Sequence, residues 1–478
     1  MDSIRRQSLS GLKWNSIGLL STKGINFLLG LLIARLLVPE NYGVIGMLAI
    51  FMAIAQAFVD SGFGNALIRK VDRTEVDCST VFYFNIAIGF FFYGILFVLA
   101  PYISAFYHLP ILTDVIRLLS LNIIFNSLGI VPRALRSIAV DFKTQAYASV
   151  SSAIVSGLIG LYLAYNGYGV WALVWQSVIG SLLSVVVIWC FARWMPSWTY
   201  SWRSFASLFT YGSKLLASGL LQTVYLNTSN LVIGKFYMLS DLGYYDRGRQ
   251  IASFPSLRFS DIMNGVTFPI LSKIQNDNNR LVHVYHQYLA MSSMVIFFIM
   301  TLLAVVAKPL ILILLTEKWI GVVPFLQVFC LAYMFDSVCR LNNNMLFVKG
   351  WSGLFFKLEV TKKVLITPVF LLAIHFGVMA ICCVAVVHTF VDIACSSYYL
   401  RKRLGVSGRH YVCLVKYFML SILACVPASF ICNIQVSPWM SLVIGCVVSV
   451  FLYWWLLRKD EYMLETLQIL KNYIPLKR

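Results

Sequence analysis

Long apolar runs separated by short polar breaks set the pattern of this chain. The stretch KGINFLLGLLIARLLVPENYG, Lys23 to Gly43, is typical: it is almost wholly apolar from Gly24 to Val38, then breaks at Pro-Glu-Asn before the next run. A helix needs about 20 apolar residues to span a hydrocarbon core. Fourteen segments reach that length, near residues 14–37, 42–67, 78–101, 113–136, 145–166, 169–192, 207–236, 246–271, 284–307, 322–347, 354–375, 377–400, 412–432 and 438–457. The pattern therefore predicts an all-α integral membrane protein of about 14 transmembrane helices.

The pattern also repeats. IARLLVPENYG (Ile33 to Gly43) aligns without gaps on IGKFYMLSDLG (Ile233 to Gly243), matching Arg35 to Lys235 and Gly43 to Gly243. YGVWAL (Tyr168 to Leu173) aligns on FGVMAI (Phe376 to Ile381). The spacings of 200 and 208 residues pair helices 1–6 with helices 7–12. An even number of helices per repeat makes the halves parallel, related by an axis along the membrane normal. The expected layout is two parallel six-helix lobes around a central cavity, residues 1–203 and 204–403. Residues 404–478 supply two further helices and a cytoplasmic tail.

Composition agrees with a membrane protein: 60% of residues are hydrophobic, 12% are charged, and the mean hydropathy is +0.80. Soluble domains run near 45–50% apolar and about 25% charged. The first residues, MDSIRRQSLSGLKW, lack a small-residue cleavage site, so the first helix is expected to be retained. The net charge of +19 would suggest nucleic acid in a soluble protein. Here the basic residues gather in alternate connections, such as Arg69, Lys70 and Arg73, or Arg401, Lys402 and Arg403, while PEN, NGYG, HFG and NIQVSP carry none. Positive-inside bias accounts for most of the excess, places both termini in the cytoplasm and makes a nucleic-acid partner unnecessary. Trp14, Trp171, Trp198, Trp319 and Trp439 near helix ends fit an interfacial belt. Eleven cysteines are scattered through apolar segments with no CxxC, which favours packing roles over a disulfide or a metal.

Charges inside the spans change the picture. An ionised side chain at the bilayer centre costs roughly 2.5–3.5 kcal/mol even on lenient scales. Arg35, near the outer end of helix 1, can snorkel to the headgroups. Lys23 sits near the middle of its helix. Twelve residues at about 100° each set it roughly 120° from Arg35, so it is expected to face a wet cavity. Arg258 and Asp261 stand at i,i+3 and Asp336 and Arg340 at i,i+4, so each couple shares a helix face. The second couple reads as a structural ion pair. Helix 7 is unusually polar from Gln222 to Asn230. The candidate cavity residues are Lys23, Asn26 and Arg258, with Lys214, Gln222, Asn227 and Asn230 of helix 7. Such a lining is cationic and hydrogen-bonding, which suits an anionic, sugar-bearing ligand. Asp60, Asp261 and Asp392 are candidates for ion coupling.

Three readings compete. A carrier of an anionic, sugar-bearing ligand uses the cationic interior. A cation-coupled exporter of the same architecture would want a midmembrane carboxylate free of basic neighbours, for which Asp60 and Asp392 are the candidates. A membrane glycosyl-transfer enzyme would need a sizeable outer loop, and none exceeds about fifteen residues. The sequence has no GxxxxGK[ST], no HExxH and no nucleophile elbow, so no cofactor, no metal and no catalysis are expected.

Several blocks resemble a known family. LLIARLLVPENYGVIGMLAIFMAIAQAFVDSGFGNALIRK, APYISAFY, NGYGVWALVWQ, LVIGKFYMLSDLGYYDRGRQIASFP, FPILSKIQND and LTEKWIGVVPFLQV are similar to the polysaccharide transporter family. Within it they resemble the Wzx-type exporters of the colanic and teichuronic acid sort. The likeness runs from about Gly11 to Arg403, dense in the first half and loose after Val348. It implies membership of the superfamily that holds the multidrug and toxic compound extruders and the lipid II flippase, with helices 1, 2, 7 and 8 lining the cavity. It implies movement of an undecaprenyl-pyrophosphate-linked oligosaccharide across the bacterial inner membrane. Membrane lipids, a Na+ or H+ gradient and the polysaccharide polymerase and chain-length machinery are the implied partners. Cavity cations on helices 1 and 8 of related flippases match Lys23 and Arg258. The family commonly has an acidic residue before the NLxIG run, where this chain has Ser229-Asn230.

Overall fold

A computed structural model of the chain describes residues 2–464, apart from 61, 193, 407 and 434–436. Within helices, the side chains of 2–13, 15, 16, 211, 214, 215, 218, 409, 410 and 433 are left undescribed. The described residues form helices and connections, with no strand among them. They gather into two compact units that divide after Gly243.

The first unit holds α1 (Asp2–Leu36), α2 (Pro39–Asp60), α3 (Phe63–Arg69), α4 (Glu75–Tyr107) and α5 (Leu112–Leu119). It continues with α6 (Leu121–Ile138), α7 (Phe142–Tyr165), α8 (Val170–Cys190) and α9 (Trp202–Phe236). Then α10 (Leu239–Lys273) starts in the first unit and runs into the second. The second unit adds α11 (Asn278–Val305), α12 (Ala307–Leu314), α13 (Val322–Met334), α14 (Asp336–Val348), α15 (Ser352–Ala373), α16 (Val378–Leu404), α17 (Val412–Asn433) and α18 (Pro438–Leu457).

Local chemistry sets several of these boundaries. Pro39 opens α2 and Pro438 opens α18, positions where a missing N–H costs nothing. Thr74 and Asp77 form a reciprocal capping box at the start of α4, with Thr74 N–H donating to Asp77 Oδ2 at 2.8 Å. Asp141 caps α7 by accepting from Thr144 N–H at 3.1 Å. Gly169 and Gly377, the paired glycines of YGVWAL and FGVMAI, cap α8 and α16 at φ of +57° and +99°. Few residues other than glycine adopt that region at low cost, which explains the motif in both halves.

The sequence repeat reappears in the helix boundaries. α1 and α9 are each 35 residues long, and α2 and α10 begin at Pro39 and Leu239. These two helix starts pack reciprocally. A Cβ on Gly43 would lie 2.1 Å from Leu239 O, and one on Gly243 would lie 2.2 Å from Pro39 O. Only glycine allows so close an approach of backbones.

The compact units divide later than the repeat boundary at residue 203, because α9 packs into the first unit. Leu208 joins a core of Phe63, Leu67, Val81, Phe82 and Val131 from α3, α4 and α6. Eleven helical stretches among the described residues are long and apolar enough to cross a membrane, with α2–α3, α5–α6 and α13–α14 each counted as one. The other three expected spans are α9, α10 and α15. They are long enough but more polar: α9 through its run from Gln222 to Asn230, α10 through seven charged residues, and α15 through Lys357, Glu359, Lys362 and Lys363. Trp319, expected at an interface, is fully buried, with Tyr244 edge-on and the Arg247 guanidinium 5.8 Å from its ring. Trp198 is 95% exposed, as a headgroup anchor requires.

Candidate functional site

The more polar helices concentrate the charge, and each unit presents its own set. In the second unit, Arg258 Nη1 lies 3.3 Å from Asp261 Oδ2, and Arg340 Nε lies 2.8 Å from Asp336 Oδ2. Helix geometry places each couple on one face. The two couples are not separate, because Arg340 Nη1 also reaches Asp261 Oδ1 at 3.3 Å. Arg258, Asp261, Arg340 and Asp336 thus form one chain of alternating sign that ties α10 to α14. Arg258 and Asp261 are each 48% exposed, so each contact contributes at most about 1 kcal/mol.

Neutral contacts extend this seam. Ser256 Oγ donates to Tyr333 O at 2.6 Å, and Asn344 Nδ2 donates to Asn264 Oδ1 at 2.6 Å. One side of α10 is therefore fastened to α13 and α14 by hydrogen bonds at three levels.

A second charge cluster of this unit joins two helices, a contact that helix periodicity does not predict. Lys362 on α15 is only 2% exposed; its ammonium meets Asp392 Oδ1 of α16 at 2.9 Å and Glu359 on its own helix. Asp392 is therefore not the free carboxylate that the exporter reading requires. Beyond it, Ser396 accepts from Asn342 at 2.8 Å, and Asn342 accepts from Tyr285 at 2.6 Å. The signal available in sequence was the four charges of α15 within an otherwise apolar helix.

In the first unit, Lys23 is exposed on α1 and has no hydrogen bond or ion pair among the described residues. Arg35 is also exposed, in the last turn of the helix. Asn26 lines a cavity inside this unit, bounded by α1, α6, α7 and α8. Gln222 is exposed, whereas Asn227 spends its amide on Thr223 O of its own helix at 2.8 Å. Asn230 departs from a cavity-lining role: it is 1% exposed and its amide points to Gly46 O of α2 at 3.5 Å. It fastens α9 to α2. The Lys214 side chain lies outside the described residues. Asp60 accepts from Gln56 Nε2 at 2.9 Å, and Gln56 in turn accepts from Asn126.

This is a set of long, charged helices embedded among apolar ones, with Lys23 exposed on the first and without a partner among the described residues. The sequence pattern of the family described as "Polysaccharide biosynthesis protein" matches residues 32–324, more than half of the chain. The chain belongs to that family.

Relatives of this family member include the teichuronic acid biosynthesis protein TuaB of Bacillus subtilis (strain 168). It is 26% identical over 358 residues, covering 74% of each chain. The lipopolysaccharide biosynthesis protein WzxC of Escherichia coli (strain K12) is 24% identical over 372 residues, covering 77% of this chain and 75% of the other. Among solved structures, the lipid II flippase MurJ in an inward closed conformation superposes with a TM-score of 0.75. That match spans 93% of this chain and 98% of that one at 13% identity. An inward-facing multidrug resistance transporter of the MATE family and MOP superfamily gives 0.62 over 83% and 98%, also at 13% identity. The family member therefore has the fold of these transporters and is a multi-pass membrane protein.

Proposed function

We propose that this chain is a flippase that moves an undecaprenyl-pyrophosphate-linked oligosaccharide from the cytoplasmic to the periplasmic leaflet of the inner membrane. In this scheme all fourteen long segments span the bilayer, both termini are cytoplasmic, and two lobes rock around a fixed site. The charges of α9 and α10 are tolerable because these helices face water rather than lipid, and that of Lys362 on α15 because it is paired with Asp392 and Glu359.

The observation that carries the reading is Lys23, an exposed ammonium on a spanning helix with no partner among the described residues. A free cation in that place is what a pyrophosphate or an acidic sugar needs for a charge-assisted contact. Exposed amides such as Asn26 and Gln222 offer hydrogen bonds to sugar hydroxyls. The relatives named for teichuronic acid and lipopolysaccharide biosynthesis support a surface polysaccharide as the destination. Asp261 and Asp392 are ion-paired, which takes them from the cation-coupled drug exporter; of its three candidate carboxylates Asp60 alone meets no basic side chain among the described residues, accepting from Gln56 instead.

Surface polysaccharide in a deletion strain provides the test. Lys23→Ala should abolish export at near-normal protein level, Lys23→Arg should keep part of it, and Arg35→Ala should keep most. Full surface polysaccharide with Lys23→Ala would remove Lys23 as the ligand contact.

A further inference from the structure

An open cavity of the first unit has chemistry of its own. It measures about 390 Å3 and is lined by residues of α1, α6, α7 and α8, Lys23 not among them. Small-molecule sites run from about 300 to 1,000 Å3. Its wall is mostly hydroxyl and carboxamide, and Arg133 of α6 is its one charged lining residue.

Arg133 is short of partners. Its guanidinium donates to Ser184 Oγ at 3.2 Å and forms no salt bridge among the described residues. Asp60 is the carboxylate whose field reaches it, from beyond contact, and that carboxylate is held by Gln56. A guanidinium has five N–H donors, and a half-buried cation with one side-chain partner has room for a counter-charge.

The neighbouring hydroxyls are also turned toward donation. Ser184 Oγ accepts from Arg133, and Ser177 Oγ accepts from Asn122 Nδ2 at 2.9 Å. Each therefore keeps a proton to give, and neither donates it to an acceptor among the described residues. Ser177, Ser181 and Ser184 follow one another at i, i+4 and i+7, a hydroxyl stripe about 10 Å long on α8 that ends at Arg133. Thr22 Oγ1, across the cavity on α1, is buried with no hydrogen-bond partner.

We infer that this cavity binds a small anion, held by Arg133 and Ser184 and reached along the serine stripe of α8. The anion neutralises the guanidinium and so favours the packing of α6 against α8. A free halide and a carboxylate carried on a sugar offer the same chemistry, and purified protein without lipid-linked sugar separates them.

The full chain in detergent would be titrated with radiolabelled chloride by equilibrium dialysis, and in parallel with labelled glucuronate. Saturable binding of either probe is expected, with chloride binding identifying the free halide and glucuronate alone identifying the sugar carboxylate. Arg133→Gln should weaken binding at least about tenfold, since a charge-assisted hydrogen bond is lost. Arg133→Lys should restore part of it. Gly180→Leu tests the same cavity with Arg133 intact: a Cβ there already lies 3.1 Å from Ser156 Oγ, so a longer side chain fills the passage and should abolish binding. Binding of neither probe, or binding unchanged by both Arg133→Gln and Gly180→Leu, would overturn the assignment. Because no transport is measured, the outcome is independent of the flippase reading.

Discussion

One methyl group at Gly43 tests whether the starts of α2 and α10 must part during transport. A Cβ at Gly43 would stand 2.1 Å from Leu239 O, against 3.4–4 Å for an ordinary contact. The obstacle is a backbone oxygen, which cannot rotate away as a side chain can. The two helix starts must therefore separate by more than about 1 Å, and overpacking of this kind costs about 1–3 kcal/mol. In the rocking scheme that energy falls only on the conformer in which these ends meet, so its population should drop about 5- to 150-fold. The repeat gives an internal check: Gly243→Ala meets Pro39 O at 2.2 Å and should have an effect of the same size. The assay is a disulfide between Val38→Cys and Met238→Cys, one residue before each helix start, in a background without the native cysteines. In the parent, oxidation should crosslink the pair and stop export, and reduction should restore it. With Gly43→Ala the crosslinking yield should fall steeply at equal protein level. Gly24→Ala, where no atom lies within 4 Å of the added Cβ, is the control and should change nothing. Unchanged crosslinking with Gly43→Ala, or efficient crosslinking with export intact in the parent, would refute the reasoning.

Other expectations follow from the charge clusters. Asp336→Ala or Arg340→Ala unbalances the α10–α14 chain by one charge and should lower membrane-protein abundance; each contact is part-exposed, so the loss is about 1 kcal/mol. The double substitution leaves Arg258 and Asp261 paired and should recover abundance; if it does not, one of the two has a role outside packing. Lys362→Met strands Asp392, which is 8% exposed, and should cost about 3–5 kcal/mol. Adding Asp392→Leu should return much of that stability in a thermal unfolding assay, and failure to do so would give the pair a role beyond neutralisation. Asp460, just past α18, is buried, which pushes its carboxyl up, but bonds from Lys416 and Tyr417 outweigh this and hold it below the ordinary carboxylate range. Its stabilising effect is therefore complete above the unfolded value near 3.9 and is lost as pH falls through the lower folded value. Proteolysis after Leu457 should increase only at strongly acidic pH, whereas Asp460→Asn should show the increase at neutral pH.

What the sequence makes legible here is what a helix decides by itself. An apolar run of sufficient length marks a span whatever surrounds it, and spacings of three or four residues bring Arg258 to Asp261 and Asp336 to Arg340. The 200-residue repeat reappears in α1 and α9 because equal helix lengths need no tertiary knowledge. Contacts between helices are another matter. Asp261 meeting Arg340, or Lys362 meeting Asp392, depends on which helices are neighbours and how each is rotated. Asn230 shows the same limit, since a polar residue on an apolar helix looks alike whether it faces water or a neighbouring carbonyl. Arg133 is legible in the sequence only as one more basic residue near a helix end. Its place in a cavity depends on hydroxyls from three other helices.

The alternating chain of Arg258, Asp261, Arg340 and Asp336 has an electrical consequence. Moving one elementary charge through a membrane voltage is worth about 2.3 kcal/mol per 100 mV. Two cations and two anions fastened together carry no net charge, so a step that shifts α10 with α14 does no net work against the field through them. In the proposed flippase the voltage can act on cations without an ion pair among the described residues, such as Lys23, and on the anionic cargo that accompanies it. With the cytoplasm negative, an anion carried outward runs down the field. Collapsing the voltage should therefore slow export of a more acidic cargo more than that of a less acidic one, while leaving the α10–α14 chain itself indifferent.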